Sequence, residues 1–206
     1  MLKIASIVPK TEAEGPGERF AVWVQGCPFR CPGCCNPHYL AFDSESASLI
    51  KPEALAQMIL EQRECVEGVT FIGGEPFAQA AGLVEVASLI RAEGLSVMVF
   101  SGFTMAELND ANDVDYEDRQ RLLALTDLLV DGQYKRDLHV NNRRWIGSSN
   151  QEVHYLTERY RHLEGNWPSE ANTIEIRFKK GELTINGFPH LDVTKATLGS
   201  LKKKKR

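Results

Sequence analysis

The feature that most constrains the fold is a unit that recurs four times: a short apolar segment that ends in a glycine-containing turn. Aromatic and β-branched residues fill these segments, which is typical of buried strands. The four segments span residues 20–25, 69–72, 95–100 and 127–130. Segments with helical spacing lie between them, at residues 51–64, 79–93, 105–108 and 116–125. This alternation predicts an α/β fold in which helices cover parallel strands.

The turns that follow the four strands are the predicted location of the functional site. They begin with the pairs Gly26-Cys27, Gly73-Gly74, Ser101-Gly102 and Asp131-Gly132. Ligands of parallel α/β proteins bind at the carboxyl ends of the strands. Because parallel strands end at the same edge of a sheet, we expect the four turns to surround one exposed mouth.

The chain after residue 132 departs from this alternation. Residues 133–150 are polar and irregular, which predicts a long functional loop, and residues 151–161 have helical spacing. Two alternating segments flank Lys180-Gly181 and predict a C-terminal β-hairpin, at residues 173–178 and 182–185. We predict a single domain over residues 1–200 and a disordered basic tail over residues 201–206.

Charge and hydropathy exclude several classes of partner. The formal net charge of -4 argues against a phosphate-binding surface spread over the molecule, so we expect no nucleic-acid partner. No window approaches the about 18 apolar residues that a membrane span needs, and the first residues lack the apolar core of an export signal. We therefore expect a cytoplasmic protein that does not bind membranes.

Four of the five cysteines form one tight cluster, which indicates metal or iron-sulfur ligation rather than a disulfide framework. Cys27, Cys31 and Cys34 have the spacing C-x3-C-x2-C, so that three thiolates can converge in one loop. Three ligands hold three irons of a 4Fe-4S cluster and leave the fourth iron open, whereas electron carriers normally supply four cysteines. Zinc is the alternative, with Cys35 or His38 as the fourth ligand.

Cys35 and Cys65 are not counted as cluster ligands. Adjacent cysteines are awkward chelators of a single ion, so the role of Cys35 stays open. Cys65 lies next to Val66 in a helical segment and is predicted to be a small buried hydrophobic residue.

A second motif, Gly73-Gly74-Glu75-Pro76, follows the second apolar segment directly. Glycines at a strand end let a ligand approach the backbone, and Glu75 offers a carboxylate to an ammonium group. The alternative is an ordinary turn between strand and helix. The cysteine triplet that precedes this motif in the chain favours the ligand-binding interpretation over the ordinary turn.

Together these residues resemble the radical S-adenosylmethionine (SAM) superfamily, whose hallmarks are C-x3-C-x2-C after the first strand and GGEP after the second. More narrowly, the chain is similar to the activating enzymes of anaerobic ribonucleotide reductases. This similarity lies in Gly15-Pro16-Gly17, GCPFRCPGCCNP at 26–37, FSGFT at 100–104, LVDG at 129–132 and GSSNQ at 147–151. Gly33 departs from the superfamily pattern, in which an aromatic residue before the last cysteine often contacts adenine.

The resemblance implies a partial (βα) barrel and two cofactors, a 4Fe-4S cluster and SAM. The open iron would bind the methionyl amine and carboxylate of SAM, while the GGEP motif, residues 73–76, would contact the amine. Ser101, Asp131 and Ser149 are candidates for contacts to the SAM ribose or carboxylate. Their alternative roles are those of ordinary turn and cap residues.

The resemblance also implies a reaction. A reduced cluster would cleave SAM to methionine and a 5′-deoxyadenosyl radical, which abstracts hydrogen from a substrate. The leading expectation is a glycine of an anaerobic ribonucleotide reductase, with electrons from a flavodoxin or a ferredoxin-type donor. A chain of this length leaves little room for a large pocket of its own, so a polypeptide substrate would complete the site.

Two other functions stay open at this point. Similar compact proteins modify ribosomally made precursor peptides, as spliceases do when they excise a tyrosine-derived fragment with the help of a small peptide-recognition partner. The strands TIEIRF and ELTING extend past the minimal activase pattern and keep that reading open. A non-enzymatic electron carrier or zinc-binding adaptor would not cleave SAM at all.

Overall fold

The fold is centred on one mixed β-sheet. The computed structural model describes residues 1–169, 172–179 and 182–187. In this part of the chain the strands are β1 Leu2–Thr11, β2 Arg19–Val24, β3 Ser48–Ile50, β4 Gly68–Gly73, β5 Ser96–Phe100, β6 Leu128–Asp131, β7 Glu152–Tyr155, β8 Ile174–Lys179 and β9 Glu182–Gly187. The α-helices are α1 Pro52–Leu60, α2 Ala80–Ala92, α3 Met105–Leu108 and α4 Tyr116–Leu125.

Four parallel strands form the middle of the main sheet, whose order is β3-β1-β2-β4-β5-β6-β7. Strands β2, β4, β5 and β6 are the four predicted segments, and each pairs in parallel with the next. The α/β fold with parallel strands is therefore confirmed. The register pairs Val24 with Gly73, so that the cysteine loop after β2 and the GGEP turn after β4 start side by side.

Helices cover one face of this sheet and bury its apolar side chains. The largest core cluster joins residues of the parallel strands, such as Val22, Phe71 and Val99, to α1, α2 and α4. Every residue of β2 is buried, as expected for a parallel strand covered on both faces. On the opposite face, Met98, Leu128 and Val130 pack against residues from after β6, namely Ile146 and Tyr160.

Two local predictions were wrong. Residues 151–161 form β7 and a 3-10 helix, Glu158–Leu163, instead of one helix. The cause is tertiary: β7 pairs antiparallel with β6, from Leu128–Tyr155 to Asp131–Glu152, and completes an edge of the sheet that helical spacing does not reveal. Cys65 is exposed rather than buried, because α1 already ends at Leu60.

The C-terminal strands form a sheet of their own. Strands β8 and β9 pair antiparallel, with Ile176 opposite Ile185. The predicted turn at Lys180-Gly181 and the basic tail at residues 201–206 lie outside the described residues, and the partial-barrel shape of the main sheet stays a prediction. The longest helix in the described part of the chain, α2, has 13 residues, and none there is long and apolar enough to cross a membrane.

A buried polar cluster ties the 3-10 helix after β7 to the amino ends of the parallel strands. The Arg19 side chain is fully buried and donates to Oγ1 of Thr70 at 3.1 Å, Oγ of Ser96 at 2.7 Å and Oη of Tyr160 at 2.9 Å. The Tyr160 hydroxyl in turn donates to the carboxylate of Glu67. A buried guanidinium needs such partners because desolvation would otherwise make its charge very unfavourable.

We therefore expect Tyr160→Phe to destabilise the protein by about 1–3 kcal/mol, because it removes the hydroxyl from a buried hydrogen-bond network. Urea unfolding of the two proteins measures the difference. Tyr116→Phe, on α4 and outside this cluster, is the matched control and should change the free energy of unfolding little. An equal effect of both substitutions would contradict the account of the cluster.

Candidate active site

The cysteine loop, residues 26–40, follows β2, and its last residues lie beside its first. The amide of Gly26 donates to the carbonyl of Tyr39 at 2.8 Å, and the amide of Cys27 donates to the carbonyl of Leu40 at 3.0 Å. Gly26 has a φ of +97°, and a Cβ there would lie 2.4 Å from the ring of Phe42. The base of the loop is thus closed by backbone contacts that a larger residue would disturb.

The GGEP turn is interlocked with the cysteine loop through the backbone. The amide of Gly74 donates to the carbonyl of Val24, and the amide of Glu75 donates to the carbonyl of Gly26, both at 2.8 Å. A Cβ on Gly74 would lie 2.2 Å from that Gly26 oxygen. Gly73 has a φ of +109°, which favours glycine, and Pro76 begins a 3-10 helix. The two motifs therefore have a fixed relative position.

The carboxylate of Glu75 joins two of the predicted turns. It is buried and accepts hydrogen bonds from the amide of Phe77 at 2.9 Å, the hydroxyl of Ser101 at 3.0 Å and the amide of Gly102 at 2.7 Å. Burial raises the pKa of Glu75 to about 7, although these three hydrogen bonds oppose the shift. The structure thus brings Glu75 and Ser101 together, and the Glu75 side chain caps its own turn.

An aromatic contact that the sequence analysis missed holds the cysteine loop against the turn after β5. The rings of Phe29 and Phe103 meet edge to face with centroids 4.7 Å apart, and the guanidinium of Arg119 lies 4.2 Å from the Phe103 centroid. A Cβ on Gly102 would lie 2.5 Å from the Phe29 ring. The sequence motif FSGFT contains Phe103, but only the fold shows that Phe29 is its partner.

The turn after β6 contacts the cysteine loop from the other side. The Cys31 thiol donates weakly to Oε1 of Gln133 at 3.8 Å, and a Cβ on Gly33 would lie 3.3 Å from the Tyr134 ring. Ser149 is exposed in the long loop after Gly132, where its amide donates to a backbone carbonyl. The predicted functional loop is thus in contact with the cysteines.

Asp131 is buried and has partners within the protein. One carboxylate oxygen accepts from the amide of Met105 at 2.6 Å and lies 2.9 Å from Nε2 of His154, and the other accepts from the amide of Glu152 at 3.2 Å. These contacts fix α3 and β7 to the end of β6. The carboxylate of Asp131 therefore shapes the mouth of the site.

The three thiols of the cysteine motif are half-buried and close enough to influence one another. Burial raises the pKa of Cys27 to about 12 and also raises that of Cys31, and the neighbouring thiols add to both shifts. The pKa of Cys34 is lowered by its hydrogen bond with Cys35. Among the described residues, no group of three or more Cys, His, Asp or Glu side chains is already arranged to hold a metal ion.

Comparisons with known proteins agree on the class of this site. Residues 13–154 match the model of the 4Fe-4S single cluster domain family. The anaerobic ribonucleoside-triphosphate reductase-activating protein of Escherichia coli (strain K12) is 30% identical over 153 residues, which cover 72% of this chain and 95% of that protein. A putative glycyl-radical enzyme activating enzyme of Haemophilus influenzae is 35% identical over 98 residues, covering 47% and 37%.

Among solved structures, QueE from Escherichia coli is a distant likeness: the match covers 50% of this chain and 53% of that chain, with a TM-score of 0.43 at 21% identity. The cysteine loop, the GGEP turn and the sequence relatives define an enzyme of the radical SAM class, whose cofactors are an iron-sulfur cluster and SAM. Within that class, the chain belongs to the 4Fe-4S single cluster domain family.

The raised pKa of Glu75 has a testable consequence for stability. An acid whose pKa rises on folding binds more protons in the folded protein than in the unfolded chain between about pH 4.5 and 7. Stability contributed by this group is therefore present at low pH and is lost as the pH rises toward 7.

We expect the cofactor-free Glu75→Gln variant to be less stable than the unsubstituted protein at pH 5, because its amide nitrogen cannot accept the hydrogen bond that the Gly102 amide donates to one carboxylate oxygen. Because the variant has no group that ionises at this position, the difference in stability should shift in its favour by roughly 3 kcal/mol between pH 5 and pH 8. Denaturant unfolding at both pH values measures this, with Glu85→Gln on α2 as the control. A stability difference that does not change with pH would contradict the burial of an ionised Glu75.

Proposed function

We propose that Cys27, Cys31 and Cys34 hold three irons of a 4Fe-4S cluster and leave the fourth iron open. The donor set fits this group, because all three residues are thiols on one loop whose base is fixed by Gly26 and Gly74. Cluster assembly would have to draw the thiols together and deprotonate them against the raised pKa of Cys27 and Cys31. Metal binding supplies the free energy for such a step.

We propose further that residues 73–76 bind the methionyl amine of SAM. Support comes from Glu75, whose buried carboxylate accepts hydrogen bonds from three neutral donors in the described part of the chain. A nearby ammonium would favour the ionised carboxylate and relieve the unfavourable desolvation. Ser101, Asp131 and Ser149 are candidates for contacts to the SAM ribose or carboxylate. Because Ser101 and Asp131 already bond to the protein, each would act mainly by holding its loop in place.

The function that we infer is the activation of a glycyl-radical enzyme. Held by Cys27, Cys31 and Cys34 and by residues 73–76, the reduced cluster and SAM would supply the radical chemistry that removes hydrogen from a glycine of a polypeptide, which we take to be an anaerobic ribonucleotide reductase. The observation that carries this inference is the interlock of the cysteine loop with the GGEP turn in a chain whose relatives are named as reductase-activating proteins. A flavodoxin or ferredoxin-type protein would be the electron donor.

The chain's own residues would position the cofactors and keep water from the reaction. Phe29 and Phe103 pack against each other beside the cysteine loop, and the loop after Gly132 closes its other side. We treat residues 1–200 as one domain and the main sheet as a partial barrel. Splicease-like modification of a precursor peptide is not favoured, because the match to the activating protein of Escherichia coli covers 95% of that protein.

The test is hydrogen transfer. The reduced holoenzyme would be incubated with SAM and an anaerobic ribonucleotide reductase that is deuterated at the glycine α-positions. We expect deuterium in 5′-deoxyadenosine together with a lasting radical signal on the reductase. A matched reductase, deuterated only at alanine, is the control and should transfer none. Deuterium transfer only from a free metabolite, or shortening of a precursor peptide, would contradict the proposal.

A further inference from the structure

A small cavity lies directly beside the cysteine loop and contains a buried carboxyl group. Its volume is about 120 Å³, less than the roughly 300 Å³ at the lower end of small-molecule pockets. The walls include Trp23, Cys35 and Tyr39 on one side and the end of β9 on the other. Glu14, which precedes Gly15-Pro16-Gly17, also lines the cavity. No step of the proposed reaction uses this carboxyl group.

The end of β9 is the present partner of Glu14. The Glu14 side chain is buried and accepts a hydrogen bond of 2.5 Å from the amide of Gly187, and the Asn186 side chain bonds to it as well. Asn186 also donates to Oγ1 of Thr11 at 2.8 Å. The main partner of Glu14 is thus a backbone amide at the end of a β-strand.

Only a glycine fits at the position that Gly187 occupies. Its φ is +103°, and a Cβ there would lie 2.2 Å from the carbonyl oxygen of Thr173 and 3.1 Å from Cβ of Ala13. The first contact belongs to the residue before β8, but the second is with the neighbour of Glu14, so Ala13 leaves little room for a side chain on the residue whose amide Glu14 binds. A glycine is also the residue on which the proposed reaction acts.

Strand β9 lies outside the part of the chain that matches the family model. The family match ends at residue 154, and β9 pairs with β8 in a sheet that is distinct from the main sheet. Among the described residues, the hydrogen bonds between β9 and the cavity join Asn186 and Gly187 to Glu14 and Thr11, whereas the paired strand β8 has its own bonds to Glu12 and Lys10. A competing peptide that offers the same backbone groups could replace it.

We propose that Glu14 binds the backbone amide of a glycine in the polypeptide substrate, and that Asn186-Gly187 occupies this subsite until the substrate displaces it. The proposal rests on the proposed function, since that function supplies a glycine-bearing polypeptide. In this proposal Glu14 is a substrate-binding residue, and Asn186-Gly187 occupies its subsite when no substrate is bound. Strands β8 and β9, which lie beyond the family match, would serve to hold that occupant.

The first experiment tests whether the occupant can leave. Gly187→Ala in the full chain should speed amide hydrogen exchange across residues 182–187 by about tenfold or more, because the added Cβ would lie 2.2 Å from the Thr173 carbonyl oxygen and 3.1 Å from Cβ of Ala13. Gly165→Ala is the matched control: Gly165 also has a positive φ, of +74°, but open space around it. Unchanged exchange in Gly187→Ala would overturn the claim that this segment is a displaceable occupant.

The second experiment tests what the emptied subsite binds. The probe is a synthetic peptide with the sequence of residues 182–187, ELTING, titrated into full-length Gly187→Ala. We expect binding to this variant and little to the unsubstituted chain, whose subsite is filled. Adding Glu14→Ala should weaken binding about tenfold, as for the loss of a buried hydrogen bond. Adding Glu12→Ala, which changes an exposed neighbour, should not. Equal binding with and without Glu14 would overturn the proposal.

Alanine is used because burial raises the pKa of Glu14 to about 8, so glutamine would be too close a mimic. The outcomes also separate this proposal from the proposed function. If peptide binding depends on Glu14 while no polypeptide donates deuterium, the subsite stands and the proposed function falls. If a polypeptide glycine donates deuterium and Glu14→Ala leaves the KM for that polypeptide unchanged, the subsite falls and the proposed function stands.

Discussion

The hydrogen bond from the amide of Glu75 to the carbonyl of Gly26 is the contact on which the rest of the site depends. It joins the GGEP turn to the cysteine loop at 2.8 Å, and the parallel pairing of β2 with β4 directs both chains to that point. No side chain can be added at Gly74 without contact with the Gly26 oxygen. This backbone contact therefore fixes the position of the proposed iron ligands relative to the proposed SAM-binding turn. Two loops that touched only through side chains would be held less firmly.

Around this backbone contact, the site contains two thiols and a carboxyl group whose charged forms are disfavoured by burial. Burial raises the pKa of Cys27 and Cys31 as well as that of Glu75. In the proposed holoenzyme, irons would stabilise the thiolates and an ammonium would stabilise the carboxylate, so that the cofactors relieve an electrostatic penalty built into the fold. Such clusters of perturbed groups are common where chemistry takes place.

The sequence predicted the elements whose signals are local. Helices α3 and α4 have the predicted bounds, and Thr104 caps α3 in a capping box with Glu107. The four strand ends that surround the site were also predictable, because apolar segments stop at glycines. Of the site residues, the pairing of Glu75 with Ser101 follows from the adjacency of β4 and β5.

The features that the sequence did not reveal depend on contacts between distant parts of the chain. Strand β1 was not predicted, although it pairs antiparallel with β2. The sequence predicts a helix where β7 lies, because Val153, Leu156 and Tyr160 also fit helical spacing. The bond between Glu14 and Gly187 joins residues 173 positions apart, and neither residue has a local pattern that indicates the other. Side-chain identity alone does not encode such pairings.

The central claim is that three thiolates leave one iron open for SAM, and Mössbauer spectroscopy of the ⁵⁷Fe-loaded protein tests it most directly. The account predicts that about one iron in four changes its isomer shift when SAM is added, since a cluster with three protein ligands has one exchangeable site. The same response should persist in Cys65→Ala and should be absent, with the cluster itself, in Cys31→Ala. A spectrum in which SAM alters none of the four irons would contradict the claim.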